Sequence, residues 1–313
     1  MSASTATGTI GTAEPTQAAP SPYVGRFAPS PTGELHLGSL VAALGSRLEA
    51  LRAGGQWLLR IEDLDTPRVL PGAESRILDQ LGTLGFIHDG PLERQSAHGQ
   101  RHAAALEQLR AGGHLFACAC TRRQRALEQE DSGRCISDCA MRELPWSGNA
   151  VRYRMPTDPQ LLCWNDRLQG MQRYDASRYR DVVVRRRDGI VAYQLAVVVD
   201  DAAAGVTDVV RGADLLDSTP WQRGLQHSLG LPSTTYAHLP LLLEADGAKL
   251  AKSRRSLPLQ LAQPSATLGL GLALLRQEPP AGHVDWPVAE LWDWAASHWE
   301  PARIAGLREW RLR

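Results

Sequence analysis

The chain has 313 residues, 43% of them hydrophobic and 22% charged, which is typical of a globular protein with two domains or one domain carrying an insertion. Its 34 basic and 34 acidic residues cancel, so overall charge does not indicate nucleic-acid binding; basic patches at 185–187 and 252–255 could face phosphates or be solvated charge. No long apolar run occurs, which excludes a membrane-spanning helix. Residues 1–22 are small, polar and proline-bearing, so we expect a disordered tail, not a signal peptide, and a cytoplasmic protein.

The first predicted elements form a strand–helix–strand unit. Residues 23–27 read as a short buried strand that ends at a proline-rich turn, and a helical period begins at Leu37 and ends at Gly54-Gly55. Residues 57–61 form the second strand and deliver the acidic run 62–65 at its carboxyl end. This order predicts an α/β fold with a parallel sheet and a ligand above the strand ends.

Further along the chain, helices are expected at 74–84 and 101–112, and residues 117–188 read as an insertion with little periodicity. Residues 190–201 are apolar enough for either a strand or a helix, 206–210 favour a strand, and 215–229 favour a helix. We therefore predict a catalytic domain in two halves, 23–116 and 189–253, followed by a helical, tryptophan-rich region over 254–313 whose tryptophans pack in the core.

The stretch 33–39, GELHLGS, combines two glycines and a histidine where a strand exit becomes a helix. Backbone N–H groups and the positive end of a helix make such a turn an anion site. Gly38 would leave space for a flat group, and His36 can donate to a phosphate oxygen. The alternative is a helix cap with an incidental histidine.

A second candidate is the loop 249–253, KLAKS, in which Lys249 and Lys252 could clamp a polyphosphate. Surface lysine pairs are common, so an ordinary exposed loop is the alternative.

Four of the five cysteines lie between positions 118 and 139. Cys118 and Cys120 are separated by one residue, and Cys135 and Cys139 follow fourteen residues later. In a cytoplasmic chain this clustering predicts a four-thiolate structural zinc site, with redox or unrelated cysteines as the alternative. The fifth, Cys163, is expected to be a small buried side chain.

The two candidate phosphate-binding motifs, and the short motifs around them, resemble those of the class I aminoacyl-tRNA synthetases. The signatures of that family, usually written HIGH and KMSKS, correspond here to HLGS at 36–39 and KLAKS at 249–253. Residues 26–33, RFAPSPTG, 60–65, RIEDLD, and 209–214, VVRGAD, are similar to its glutamyl branch. The resemblance covers about residues 23–253 and implies a Rossmann-like catalytic domain that makes glutamyl-adenylate from glutamate and ATP, with Mg²⁺ on the phosphates.

The resemblance also implies the site residues. The ATP site would comprise Pro29, Ser30, Gly33, His36, Gly38, Ser39 and Lys252, and the glutamate site Arg26, Phe27, Ala28, Pro29, Ser30, Glu62, Tyr193 and Arg211. His36 and Lys252 would stabilise charge on the phosphates, and Lys249 would hold the mobile loop. We expect Arg211 to bind the side-chain carboxylate, helped by Arg26 and Tyr193, and Glu62 to receive the ammonium group. An amide would leave Arg211 unpaired, which favours glutamate over glutamine.

Only 60 residues follow Ser253, too few for the large helical anticodon-binding region of full-length members. This truncated layout, the cysteine-bearing insertion and the run 193–201, YQLAVVVDD, are similar to short members of the branch. Those members esterify glutamate, activated without tRNA, onto queuosine at the wobble position of aspartate tRNA. They usually have tyrosine where this chain has Cys135, which changes the ligand set but not the structural role of zinc, and we expect a monomer.

Three alternatives remain open at this point. A compact synthetase could charge glutamate tRNA by the usual route. A synthetase-like protein could have lost activity and only bind glutamate or tRNA. A small-molecule nucleotidylyltransferase is disfavoured by the glutamate-binding set and by Ser39 in place of the second histidine of the signature.

Overall fold

The computed structural model describes residues 22–121, 124, 138–176, 179, 181–243 and 259–311. The predicted tail, apart from residue 22, lies outside these residues, as do Cys135, Lys249 and Lys252. No helix within the described part of the chain is both long and apolar enough to cross a membrane.

The chain opens with the expected strand–helix–strand unit. Strand β1 (Val24–Phe27) pairs in parallel with β2 (Gln56–Ile61), and β2 pairs in parallel with the short strand β3 (Glu93–Arg94). Helix α1 (Leu37–Arg52) connects the first two strands and buries Leu40, Leu44 and Leu48. At its end Gly55 is required, because a Cβ there would lie 2.3 Å from the carbonyl oxygen of Tyr23.

A second parallel pair lies beside the first. Strand β9 (Asp208–Gly212) pairs with β10 (Thr235–Leu239), and Arg211 stands opposite His238 in the register. Thr207 donates its backbone N–H to the carbonyl of Val24, and Val24 donates to Oγ1 of Thr207, which brings β9 against β1. The carboxyl ends of β1, β2 and β9 therefore meet at one edge.

Helices surround these strands: α2 (Ala73–Thr83), α3 (Gly99–Ala111), α4 (Tyr193–Ala203) and α5 (Thr219–Ser228). The first two lie within a residue or two of their predicted bounds. Residues 190–201, left open between strand and helix, are mostly helical, since α4 begins at Tyr193. The expected helix 215–229 begins instead as a 3₁₀ turn, Ala213–Ser218, before α5. The strand expected at 206–210 is β9, shifted by two residues.

The segment between the two halves is largely antiparallel. Strands β4 (Leu115–Cys118), β5 (Ala150–Arg154) and β8 (Asp181–Arg185) form one sheet, and β6 (Cys163–Asp166) and β7 (Gly170–Arg173) form a hairpin. The backbone N–H of Arg167 donates to the carbonyl of Tyr236, which ties this hairpin to β10. Our domain boundaries stay a prediction.

The last part of the chain contains α6 (Pro264–Leu274) and α7 (Val288–His298). It also contains a strand that we did not predict, β12 (Glu309–Arg311), which pairs in parallel with β11 (Leu241–Leu243). Trp292 and Trp299 are buried in the same core as α1, as expected, and Trp294 and Trp310 pack against it. Trp299 donates its indole N–H to Glu49 of α1, 2.6 Å away.

Candidate active site

A cavity of about 880 Å³ opens at the carboxyl ends of the parallel strands. Every residue predicted for the ATP and glutamate sites within the described part of the chain lines it, and they are Arg26, Phe27, Ala28, Pro29, Ser30, Gly33, His36, Gly38, Ser39, Glu62, Tyr193 and Arg211. The remaining two predicted residues, Lys249 and Lys252, lie outside the described residues. The single cavity therefore joins the two ligand sites that the sequence predicts separately.

His36 is both a helix cap and a cavity residue. Its backbone is extended, and its Nδ1 accepts from the backbone N–H of Ser39 at 3.2 Å, which caps α1. Burial lowers the pKa of His36, although Asp214 opposes the shift, so the ring is neutral at pH 7 and its proton lies on Nε2. Nε2 lies 3.2 Å from Oγ of Ser39, so His36 and Ser39 can together offer hydrogen-bond donors to an anion, but His36 brings no positive charge.

Gly38 lies against the side chain of His36. A Cβ at this position would lie 3.0 Å from Cε1 and 3.1 Å from Nδ1 of His36. The imidazole of His36 lies in the space beside Gly38, and the contact of Gly38 with a flat group of the ligand stays a prediction. The glycine therefore allows the histidine ring to fold back over the first turn of α1.

One end of the cavity carries a buried network of two arginines and two carboxylates. Arg26 Nε lies 3.1 Å from Asp201 Oδ2, and Arg60 Nη1 lies 2.7 Å from Asp201 Oδ1. Arg60 Nη2 also reaches Glu62 Oε1 at 3.4 Å. Burial alone would raise the pKa of Asp201, but the two guanidinium groups outweigh it and hold the pKa below its ordinary value. The charge of Arg26 is thus compensated within the protein.

Glu62 follows β2 directly, and its backbone N–H donates to the carbonyl of Pro29 at 2.9 Å. Burial raises the pKa of Glu62, partly opposed by Arg60 and Arg26. A cationic group bound beside it would favour the ionised carboxylate. This is the behaviour required of a residue that receives an ammonium group.

At the other end, Arg211 is held by neutral groups. Its guanidinium donates to His238 Nε2 at 3.1 Å, Gln222 Oε1 at 2.7 Å, Thr219 Oγ1 at 2.9 Å, the carbonyl of Leu215 at 3.3 Å and Tyr193 Oη at 3.4 Å. Among the described residues, no carboxylate is a hydrogen-bond partner of Arg211. The side chain is only 5% exposed, so its charge is both buried and uncompensated by an ion pair within that part of the chain. A bound carboxylate would supply the missing counter-charge.

The cysteine cluster lies in a separate region. Cys118, Cys120 and Cys139 are buried, and their Sγ atoms all lie within 4.8 Å of one another. Cys120 and Cys139 are 3.7 Å apart at sulfur, close to the roughly 3.8 Å that two thiolates on one tetrahedral zinc ion would have. The three described cysteines therefore fit a zinc ion, and Cys135 lies outside the described residues. Cys163 is half-buried and contacts Met171, so the expectation of a fully buried side chain is wrong.

Comparison with known proteins agrees with this geometry. The family described as "tRNA synthetases class I (E and Q), catalytic domain" matches residues 23–264. A glutamyl-Q tRNA(Asp) synthetase of Aromatoleum aromaticum is 49% identical over 89% of this chain and 89% of its own length. The protein of that name from Pseudomonas aeruginosa is 48% identical over 93% of this chain and 99% of its own length. The chain belongs to the glutamyl-Q tRNA(Asp) synthetase family.

Solved structures confirm the fold expected of this family. A glutamate-tRNA synthetase from Elizabethkingia anophelis superposes with a TM-score of 0.74 at 23% identity, covering 93% of this chain and 68% of its own. A glutamate tRNA ligase from Elizabethkingia meningosepticum, in complex with its amino acid, gives a TM-score of 0.72 at 22% identity. The predicted α/β class I synthetase catalytic domain is confirmed.

Several residues around the cavity of this glutamyl-Q tRNA(Asp) synthetase family member were missed from sequence. Asp201 and Arg60 lie in the stretches YQLAVVVDD and RIEDLD that carried the resemblance, but nothing in their spacing indicated a shared ion pair. No sequence pattern indicated Gln222, Thr219 or His238. Only the register of β9 with β10 and the position of α5 bring them to Arg211.

Proposed function

We propose that this chain activates L-glutamate with ATP, without tRNA, and transfers the glutamyl group to queuosine at the wobble position of tRNA(Asp). The observation that carries the proposal is its similarity, at 48–49% identity over about nine tenths of the chain, to proteins named glutamyl-Q tRNA(Asp) synthetase. The cavity supports the first step independently, because it combines the amino end of α1 and His36 with a buried arginine that has no ion-pair partner among the described residues.

In the first step, an oxygen of the glutamate α-carboxylate attacks the α-phosphorus of ATP, and pyrophosphate leaves. Such a transfer depends on positioning and on stabilising charge at the phosphates, not on a covalent nucleophile from the protein. His36 Nε2–H and the amino end of α1 would donate to phosphate oxygens. Magnesium would neutralise the phosphates when bound, and Lys249 and Lys252 are proposed to act on the same groups.

Recognition of glutamate would use both ends of the cavity. Arg211 would bind the side-chain carboxylate, with Tyr193 Oη as a second donor 3.4 Å from the guanidinium. Glu62 would receive the ammonium group, and Arg26, held by Asp201, would complete this end of the site. Glutamine would leave the charge of Arg211 buried without a counter-ion, which is the physical basis for rejecting it.

In the second step, a hydroxyl of the cyclopentene-diol of queuosine attacks the carbonyl carbon of the adenylate, and AMP leaves. An ester forms, and the hydroxyl proton is lost to solvent or to AMP. We infer that the protein does this as a cytoplasmic monomer.

We also propose that Cys118, Cys120, Cys135 and Cys139 bind one structural zinc ion. The three buried Sγ atoms support this, since thiolates this close together repel one another and a bound cation would stabilise them. Metal analysis of protein purified without chelator should find about one zinc per chain, and Cys139→Ser should lose it. Less than half a zinc per chain in the unaltered protein would count against the site.

The acceptor is tested with ATP, radiolabelled glutamate and three RNAs: tRNA(Asp) with queuosine, the same tRNA with guanosine at that position, and tRNA(Glu). We expect label on the first alone, released by mild base because the product is an ester. Label on tRNA(Glu) would replace our proposal with a compact glutamyl-tRNA synthetase. Failure to form an adenylate would favour a binding protein that has lost activity.

A further inference from the structure

Behind Arg211 lies a chain of buried side chains that the proposed reaction does not use directly. Asp166 Oδ2 lies 2.5 Å from His238 Nδ1, and His238 Nε2 lies 3.1 Å from Arg211 Nε. Asp166 is 1% exposed and His238 is completely buried. The three residues come from different elements, since Asp166 ends β6 in the insertion, His238 lies in β10 and Arg211 lies in β9.

The hydrogen bonds fix where the imidazole proton lies. Asp166 Oδ1 already accepts from the backbone N–H groups of Leu168, Gln169 and His238, so Oδ2 is the oxygen that faces the ring. A carboxylate can only accept, so Nδ1 carries the proton and Nε2 presents a lone pair to the Nε–H of Arg211.

The charge state of His238 agrees with this assignment. Burial lowers the pKa of His238 to about 4; the charge of Arg211 acts in the same direction, and the carboxylates of Asp166 and Asp214 oppose the shift. The ring is therefore neutral at pH 7. It orients Arg211 by accepting a hydrogen bond and adds no charge, so the guanidinium has no ion-pair partner within the described part of the chain.

We propose that Asp166 and His238 are positioning residues that set the discrimination between carboxylate and amide at Arg211. The inference rests on the proposed function, in which Arg211 contacts the substrate's side-chain carboxylate. A carboxylate acceptor in direct contact with Arg211 would compensate its charge and weaken that discrimination. Placing a neutral imidazole between Asp166 and Arg211 gives orientation without compensation, and the β6–β7 hairpin of the insertion thereby takes part in amino-acid selection.

The decisive variant is Asp166→Asn. Because three backbone N–H groups hold Oδ1 as an acceptor, the amide NH₂ must occupy the position of Oδ2 and donate to Nδ1 of His238. The imidazole proton then moves to Nε2 and faces the Nε–H of Arg211. Two donors cannot remain in hydrogen-bond contact, so Arg211 loses the contact that fixes its Nε and shifts from its orientation.

The test uses glutamate-dependent ATP–pyrophosphate exchange with purified full-length protein. For Asp166→Asn we expect the KM for glutamate to rise about tenfold or more, and the ratio of the glutamine inhibition constant to that KM to fall about tenfold. The KM for ATP should stay within about twofold, since the phosphate-binding turn lies on a different strand–helix unit. A variant that had only lost folded protein would show a lower kcat with both KM values unchanged.

Asp158→Asn is the matched control. It makes the same chemical change in the same insertion, where Asp158 accepts from the backbone N–H of Gln160 and has no contact with His238. Its glutamate KM and its inhibition ratio should match those of the unaltered chain.

A second pair of variants covers the case in which Asp166→Asn does not fold. His238→Gln can present an amide oxygen to the Nε–H of Arg211, whereas His238→Leu keeps a similar volume and offers no acceptor. The inhibition ratio should fall in the leucine variant and be retained in the glutamine variant. Equal ratios in this pair, or an unchanged ratio in folded Asp166→Asn, would overturn the inference. If the unaltered chain shows no glutamate-dependent exchange, the proposed function itself fails.

Discussion

The two ends of the cavity hold buried arginines in opposite ways. At one end Arg26 and Arg60 share the carboxylate of Asp201, and Arg60 also pairs with Glu62. At the other end Arg211 is surrounded by an imidazole, an amide, two hydroxyls and a carbonyl, all of them neutral. The exposed fractions are nearly equal, 4% for Arg26 and 5% for Arg211, so the difference lies in charge compensation and not in depth.

This difference indicates a structural role for Arg26 and a role in ligand selection for Arg211. A buried arginine with its own carboxylate contributes a fixed donor array and little net charge, whereas a buried arginine with neutral partners keeps a positive potential for a ligand. The Arg26 end therefore shapes the site, and the Arg211 end selects what enters it.

Arg211→Gln should have the largest effect. Loss of the uncompensated charge should lower glutamate-dependent pyrophosphate exchange about a thousandfold, equivalent to about 4 kcal/mol. The rate is measured as kcat/KM for glutamate at fixed ATP. Arg223→Gln is a suitable control, because Arg223 donates to backbone carbonyls of residues 160, 161 and 163 outside the cavity. Comparable losses in both variants would refute a special role for Arg211.

Asp201→Asn should act mainly on stability. It would leave Arg26 and Arg60 buried with reduced compensation, and we expect the free energy of unfolding to fall by about 3 kcal/mol, measured by urea denaturation. The control Asp188→Asn removes an exposed partner of Arg186 and should cost less than about 1 kcal/mol. If Asp201→Asn unfolds like the unaltered chain but loses glutamate binding, the assignment of this end to structure is wrong.

The contrast between the two ends also shows what sequence could supply. The cavity residues from Arg26 to Arg211 were predicted through the motifs that carry the family resemblance, and those motifs lie at strand ends or at the first turn of a helix. The ion partners were not predictable, since Asp201 reaches Arg26 from 175 positions away through helix packing. For the same reason the relay from Asp166 to Arg211 was invisible, as it needs the register of two strands and the docking of a hairpin from the insertion.

Secondary structure, too, was predictable where local sequence determines it and not where it depends on long-range contacts. Helix α1 and strands β1 and β2 were predicted because periodicity and glycine positions determine them locally. The terminal strand β12 was missed because its three residues become a strand only through pairing with β11, some 68 positions earlier in the chain. The helical state of residues 193–203 required the same kind of long-range information, since an apolar run suits either structure.

At the phosphate end, two variants of His36 separate its role as a cap from its role as a donor. Asparagine is a good helix N-cap but does not place a donor where Nε2 lies, whereas alanine removes both functions. We expect His36→Asn and His36→Ala each to lower pyrophosphate exchange about a hundredfold, and only His36→Ala to lose about 1 kcal/mol of unfolding free energy. Near-normal exchange in His36→Asn would reduce His36 to a cap.

Mild acid should weaken the two ends unequally. Because the pKa of His238 is lowered from 6.5 in the unfolded chain to about 4 in the folded one, the unfolded state binds the extra proton first as pH falls. Stability from this residue is complete above pH 6.5 and should decrease by about 2 kcal/mol between pH 6.5 and about pH 5. The lowered pKa of Asp201 keeps its ion pairs with Arg26 and Arg60 intact throughout this range.

The measurement is the free energy of urea unfolding at a series of pH values, compared between the unaltered chain and His238→Gln. Other histidines, including His36 with its own lowered pKa, contribute equally to both proteins, so the difference between the two curves isolates His238. A slope that stays the same after the substitution would mean that folding does not change the pKa of His238. His238 would then become a cation beside Arg211 below about pH 6.5, and the proposed contrast between the two ends would not hold in mild acid.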